Sequence, residues 1–306
     1  MLTILLSLLI FICVYYNQLI VEGATAGLML WFYNVIPLLL PFMLISKILV
    51  SNTDRTRNNS AVLITLFLGV MCGYPIGACL ASDFLKKKMY TQRTAQALLP
   101  LCNNASPMFI TGYIAHRILH DKISIFKVFL VIYVPYITYL ILYFITYHRN
   151  KSVNQSFKKE VPNKSQYSKD TPQHIPNTKS VIGEVVENIS YIGVYIIICS
   201  IIMQLILQLL ISLYNNGKIS DTTYFIGNIF TSTLELTRGA ELIAVIANIP
   251  FKIKEALILA ITSFGGISAI LQTGQVIRSS GLSIKKYMCV KFICASFTFT
   301  LAVLLL

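Results

Sequence analysis

The residues best placed to do chemistry form a charged set inside an uncharged run. Glu235, Arg238 and Glu241 recur at spacings of three in a stretch otherwise free of charge from Tyr224 to Ala247. On one continuous helix that spacing lays all three along a slowly drifting stripe, where Arg238 can pair with both carboxylates. Each charge costs roughly 2.5–3.5 kcal/mol at the centre of a bilayer on insertion scales, so a cluster there points to gating or coupling. It also fits a buried ion pair that only fastens helices. Gly239, inside the triad, lets another backbone come close.

A second class of candidate residues breaks helices. Gly73, Pro75 and Gly77 interrupt one apolar segment, and Asn103, Asn104, Ser106 and Pro107 interrupt the next. Gly265, Gly266 and Ser268, followed by Gln272, do the same near the other end of the chain. Proline removes a backbone donor and glycine weakens the helix on either side. Unwound backbone at membrane depth frees N–H and C=O groups that can hold a solute or an ion. The competing reading is close packing, since small residues are common where membrane helices touch.

Other chemistry is weakly represented. His116 and His120 stand at a helical spacing, but no third metal ligand accompanies them and they read as a wet interfacial loop. The seven cysteines (Cys13, Cys72, Cys79, Cys102, Cys199, Cys289, Cys294) form no C-x-x-C, and an odd number argues against a disulfide framework. The sequence contains no H-E-x-x-H, no G-x-S-x-G and no P-loop, so the expectation is a protein that is not an enzyme and holds no metal or cofactor.

The elements that must position these residues are membrane helices. The chain is 56% hydrophobic and 12% charged, against about 25% charged for a soluble domain. Continuous apolar runs favour helices over a barrel. They fall at about 2–20, 27–49, 61–83, 94–118, 124–147, 185–213, 223–247, 256–278 and 287–306, which predicts an all-α polytopic protein of eight or nine spans. The net charge of +13 sits in loops and in the Lys-, Asn- and Ser-rich stretch 148–180, the pattern of a cytoplasmic excess rather than of a nucleic-acid groove. Lys47, Arg55 and Arg57 fall on the wrong side of that topology unless a neighbouring segment re-enters.

The expected organisation is an extra, retained N-terminal span at 1–22, a first half at 23–147, the basic linker at 148–180 and a second half at 181–306. Displacing the chain by 162 residues sets Gly77-Ala78 on Gly239-Ala240 and Ser106 on Ser268. The matches fall at the helix-breaking spots, which predicts two related halves with discontinuous or re-entrant helices.

In order and spacing, Gly73-Tyr-Pro-Ile-Gly-Ala78, Asn103-Asn-Ala-Ser-Pro-Met-Phe-Ile110, Leu234-Glu-Leu-Thr-Arg-Gly239 and Phe264-Gly-Gly-Ile-Ser268 with Gln272 resemble the sporulation integral membrane proteins of the YlbJ type. The resemblance runs from Gly27 onward; where that family commonly has a His before the Gln, Leu271 stands here. It implies a "gate" or nucleoside-recognition domain and a part in spore cortex formation, in the cell membrane at the boundary of mother cell and forespore. The partners then expected are the lipid bilayer, a small polar solute and other sporulation membrane proteins. Two functions remain open at this point. One is a transporter or channel-like protein, with Gly73, Pro75, Gly77, Asn103, Asn104, Ser106, Gly265, Gly266, Ser268 and Gln272 around the solute and Glu235, Arg238 and Glu241 gating it. The other is a scaffold for cortex-assembly proteins that docks them on the basic linker.

Overall fold

Several of the long apolar segments among the described residues are not single helices. A computed structural model describes residue 11 and residues 14–52, 58–154, 178–246 and 249–306, all helix or turn without a strand among them. The linker charges, Arg55, Arg57, Cys13 and most of the N-terminal span lie outside the residues whose side chains are described. The helices are α1 (Asn17–Met29), α2 (Ile36–Asn52), α3 (Asn58–Cys72), α4 (Ile76–Lys86), α5 (Gln92–Cys102), α6 (Ile125–Asn154) and α7 (Thr178–Asn215). They continue as α8 (Asp221–Ser232), α9 (Leu236–Val245), α10 (Phe251–Phe264), α11 (Gly266–Ile277) and α12 (Ile284–Leu305). Two wider, π-helical segments, Leu30–Val35 and Phe109–Ile118, complete the list.

Among the described residues, four stretches are long and apolar enough to cross a membrane: Ile125–Thr146, Val181–Asn215, Phe251–Ile277 and Ile284–Leu305. The bent pair Asn17–Val35 and Leu39–Val50, with 53° between its arms, makes a fifth if it counts as one span. Large apolar side chains such as Leu142, Ile198, Phe292 and Leu304 point outward from these helices. A helix apolar on its outer face as well as its inner one is a lipid-facing helix, so the chain is an α-helical membrane protein.

The segments at 61–83, 94–118 and 223–247 are each split into two short pieces. Gly69 and Gly77 flank Gly73 by four residues each, yet both approach Cys102, so α3 and α4 form a V with its tip at Gly73–Pro75. The Tyr74–Pro75 peptide at that tip is cis. A second V joins α8 to α9. A Cβ on Gly239 would stand 2.0 Å from Ser232 O, a contact that a straight helix cannot make between residues seven apart. The expectation of one helix through Glu235, Arg238 and Glu241 is therefore wrong: the chain turns at Thr233–Glu235, and Glu235 caps α9 by accepting from Arg238 N at 2.9 Å.

Packing follows the small residues. α1 lies along α7, where Gly23 and Gly27 meet the backbone of Ile201 and Ile197 and the Trp31 indole N–H donates to Ile189 O at 3.1 Å. α10 lies along α12. Lys47 is a half-buried anchor in α2 and not a loop charge: its ammonium pairs with Asp83 at 2.9 Å and Glu184 at 3.0 Å.

Candidate functional site

Each V presses its tip against the break of a later helix. In the first, Tyr74 N donates to Asn104 O at 3.0 Å and Ala78 N to Asn103 Oδ1 at 3.2 Å. In the second, Ile267 N and Ser268 N donate to Thr233 O and Leu234 O at 2.8 and 3.0 Å. Gly265 and Gly266 allow this because both have positive φ, 90° and 81°, a region costly for any side chain. Gly266 also faces the second tip, where an added Cβ would lie 3.1 Å from Leu236 N.

Between the two tips lies a cavity of about 390 Å³. Both tips and both breaks reach its wall, through Tyr74, Ser106, Glu235, Gly265 and Ser268, with Gln272 one turn deeper. The two π-helical segments supply more of the wall, including Asn34, Phe109 and Tyr113. Such wide turns recur at functional sites because they re-aim side chains off the regular helical rows. Inside, Gln272 Nε2 donates to Ser268 Oγ at 2.9 Å. A second hollow of about 360 Å³, edged by Arg117, Arg238 and Glu241, shares Asn34, Tyr113 and Thr237 with the first.

The remaining candidates stand apart from the cavity wall. Gly73, Pro75 and Gly77 shape the first tip, and a Cβ on Gly77 would meet Cys102 O at 2.0 Å. Asn103 and Asn104 are fully buried behind the cavity. Asn103 Nδ2 donates to Thr273 Oγ1 at 2.8 Å and to the Tyr287 hydroxyl at 2.9 Å, and that hydroxyl donates to Asn103 O at 3.1 Å. Asn104 Oδ1 accepts from Ala105 N at 2.9 Å and Lys291 Nζ at 3.0 Å. Those two donors fix the amide's orientation and leave Asn104 Nδ2 buried without a partner.

The charged triad does not pair as its spacing suggests. Arg238 donates instead to Ser200 O at 3.2 Å and Gln204 Oε1 at 2.9 Å on α7. Glu241 accepts from the Tyr113 hydroxyl at 2.9 Å and faces Arg117 at 3.7 Å. His116 pairs with Asp121 at 2.6 Å in an exposed turn. Among the described residues, no three His, Cys, Asp or Glu side chains gather as metal ligands would.

No family model, no curated protein and no solved structure matches this chain.

Sequence reasoning overlooked Lys291. Its side chain is buried in α12, with Nζ on Asn104 Oδ1 and 4.9 Å from the centre of the Tyr136 ring. The signal was available: a lysine amid Val290, Phe292 and Ile293 is as costly in lipid as any one member of the triad. Tyr74, Tyr136 and Tyr287, which hold the breaks, resemble any aromatic residue of a membrane helix and carry no such mark.

Proposed function

We propose that this chain is a transporter or channel-like membrane protein whose solute site is the cavity between the two broken regions. One observation carries the reading: both tips and both breaks contribute to the same cavity wall. Helices packed only for stability have no need to bring four interruptions to one hollow.

The chemistry of the wall narrows the solute. The 109–118 segment, α9 and α11 all begin at the cavity, at Ser106–Phe109, Glu235–Thr237 and Gly265–Ala269. Helix N-termini carry about half a positive charge each, and interrupted membrane helices point such ends at electron-rich solute groups. Glu235 caps one of the three and offsets it. A small solute presenting hydrogen-bond acceptors suits what remains, with Ser268 and Gln272 to orient it and the Tyr113–Glu241–Arg117 contact at its mouth. Binding and passage of such a solute call for no bond-making chemistry, so the protein is read as a non-enzyme.

The V-shaped elements give the reading its symmetry. α3 to α6 and α8 to α12 run as V, broken helix and long helix, which supports two gate-like halves with re-entrant tips. The ordered motifs resemble those of YlbJ-type sporulation proteins, and on that resemblance the setting is a membrane of the sporulating cell during cortex formation.

The test is flux in proteoliposomes containing the full chain, with panels of small carboxylates, nucleosides and sugars. Saturable counterflow of one class is expected, and it should be lost in Ser268→Leu. Folded protein that moves none of them overturns the reading. Deleting most of residues 148–180 separates the scaffold alternative, since a transporter survives that loss and a docking scaffold does not.

A further inference from the structure

Two half-helices end at the same buried amine. α5 terminates at Cys102 and α10 at Phe264, and Lys291 lies against residues just past each end, Asn104 and Gly265. At the first, Lys291 Nζ donates to Asn104 Oδ1 at 3.0 Å. At the second, a Cβ on Gly265 would lie 3.9 Å from Lys291 Cε. A helix C-terminus carries about half a negative charge, so two of them together offset one ammonium without a carboxylate. Among the described residues Lys291 forms no ion pair; the buried carboxylate of Glu235 caps α9 at the cavity wall.

Unwound breaks of this kind ordinarily offer carbonyl oxygens and helix C-termini to a free Na⁺ or proton. Here the chain's own donors occupy those oxygens. Tyr287 donates to Asn103 O at 3.1 Å, Tyr133 to Ala105 O at 2.7 Å and Tyr136 to Ser263 O at 2.6 Å. Tyr74 N takes Asn104 O. The face of the Tyr136 ring closes the remaining side of the amine.

We propose that the amine of Lys291 is a tethered cation, standing where α5 and α10 converge in the place of a free alkali-metal ion. The consequence, which rests on the transport reading above, is that solute movement needs neither Na⁺ nor K⁺. The Lys291 site itself does not depend on that reading.

The test is thermal unfolding of the purified full chain, followed by intrinsic fluorescence in NaCl, KCl and choline chloride at equal ionic strength. Wild-type protein should melt at the same temperature in all three salts. Lys291→Ala, which vacates the position, should gain a saturable rise of several degrees in Na⁺ or K⁺ over choline, and Lys291→Arg should stay insensitive. A saturable alkali-cation stabilisation of the wild type overturns the proposal, as does a folded Lys291→Ala protein that gains none. If Lys291→Ala does not fold, the wild-type comparison decides alone. Absence of flux for every solute would defeat the transport reading and leave this melting comparison intact.

Discussion

The two broken regions solve one structural problem with different chemistry. In the first, α3 to the 109–118 segment, side-chain amides hold the break: Asn103 and Asn104 together reach Ala78, Ala105, Thr273, Tyr287 and Lys291. In the second, α8 to α11, backbone holds it, with Ile267 N and Ser268 N bonded to Thr233 O and Leu234 O past two positive-φ glycines. The direction of donation is reversed as well, from tip to break in the first and from break to tip in the second. The amide-held break buries its polar groups behind the cavity, whereas the glycine-held break opens Gly265, Ser268 and Gln272 onto it. Both regions reach the wall, the first through Tyr74 and Ser106, but only the first adds a buried amide network behind it.

The largest expected effects attack what the regions share. Gly77→Val and Gly239→Val each push a Cβ onto a carbonyl oxygen 2.0 Å away, and both should abolish the monodisperse folded protein in size-exclusion chromatography. Gly112→Ala, with nothing within 4 Å, should leave it unchanged. Next comes Asn104→Ala, which removes the side-chain acceptor of a buried amine and should cost about 2–3 kcal/mol in denaturant unfolding. Asn103→Ala strands the Ala78 N–H and removes one donor each from Thr273 and Tyr287, with an expected loss of about 1–3 kcal/mol for a stranded buried group. Ser268→Ala, on the opposite side of the comparison, should change stability by less than either and flux by more. Equal losses of stability at Asn103 and Ser268 would erase that contrast.

The smallest expected effect is at the mouth. Arg117 and Glu241 are 3.7 Å apart with well over a third of each side chain exposed, so Glu241→Gln should cost no more than about 1 kcal/mol. Solute flux should respond more to Glu241→Ala, which also removes the acceptor of the Tyr113 hydroxyl between the two hollows.

Much of this was legible in the sequence, and the gaps have physical causes. Long uniform spans announce themselves by apolar length: runs at 124–147 and 287–306 correspond to α6 and α12. Breaks built from Gly, Pro and Asn are equally visible, because those residues oppose helix by their backbone chemistry. The turn at Thr233–Glu235 was hidden, since it contains neither Gly nor Pro and its N-cap is a glutamate rather than the usual Ser, Thr, Asp or Asn. Periodicity then assigned Arg238 to the carboxylates, whereas it bonds Ser200 and Gln204 on α7. The alignment of Gly77 with Gly239 found two positions that both demand glycine, yet one packs on Cys102 of α5 and the other on Ser232 of its own V. Nothing in a residue's type says which neighbour it will meet.

The central claim is that the two broken regions face one water-filled cavity. Ser106→Cys and Ser268→Cys, each in a background lacking the native cysteines, place a thiol on that wall from either region. In sealed vesicles, both are expected to react with a membrane-impermeant maleimide from the same side, and a bound solute should slow both. Two thiols that stay unreactive in folded protein, or that react from opposite sides, would contradict the account.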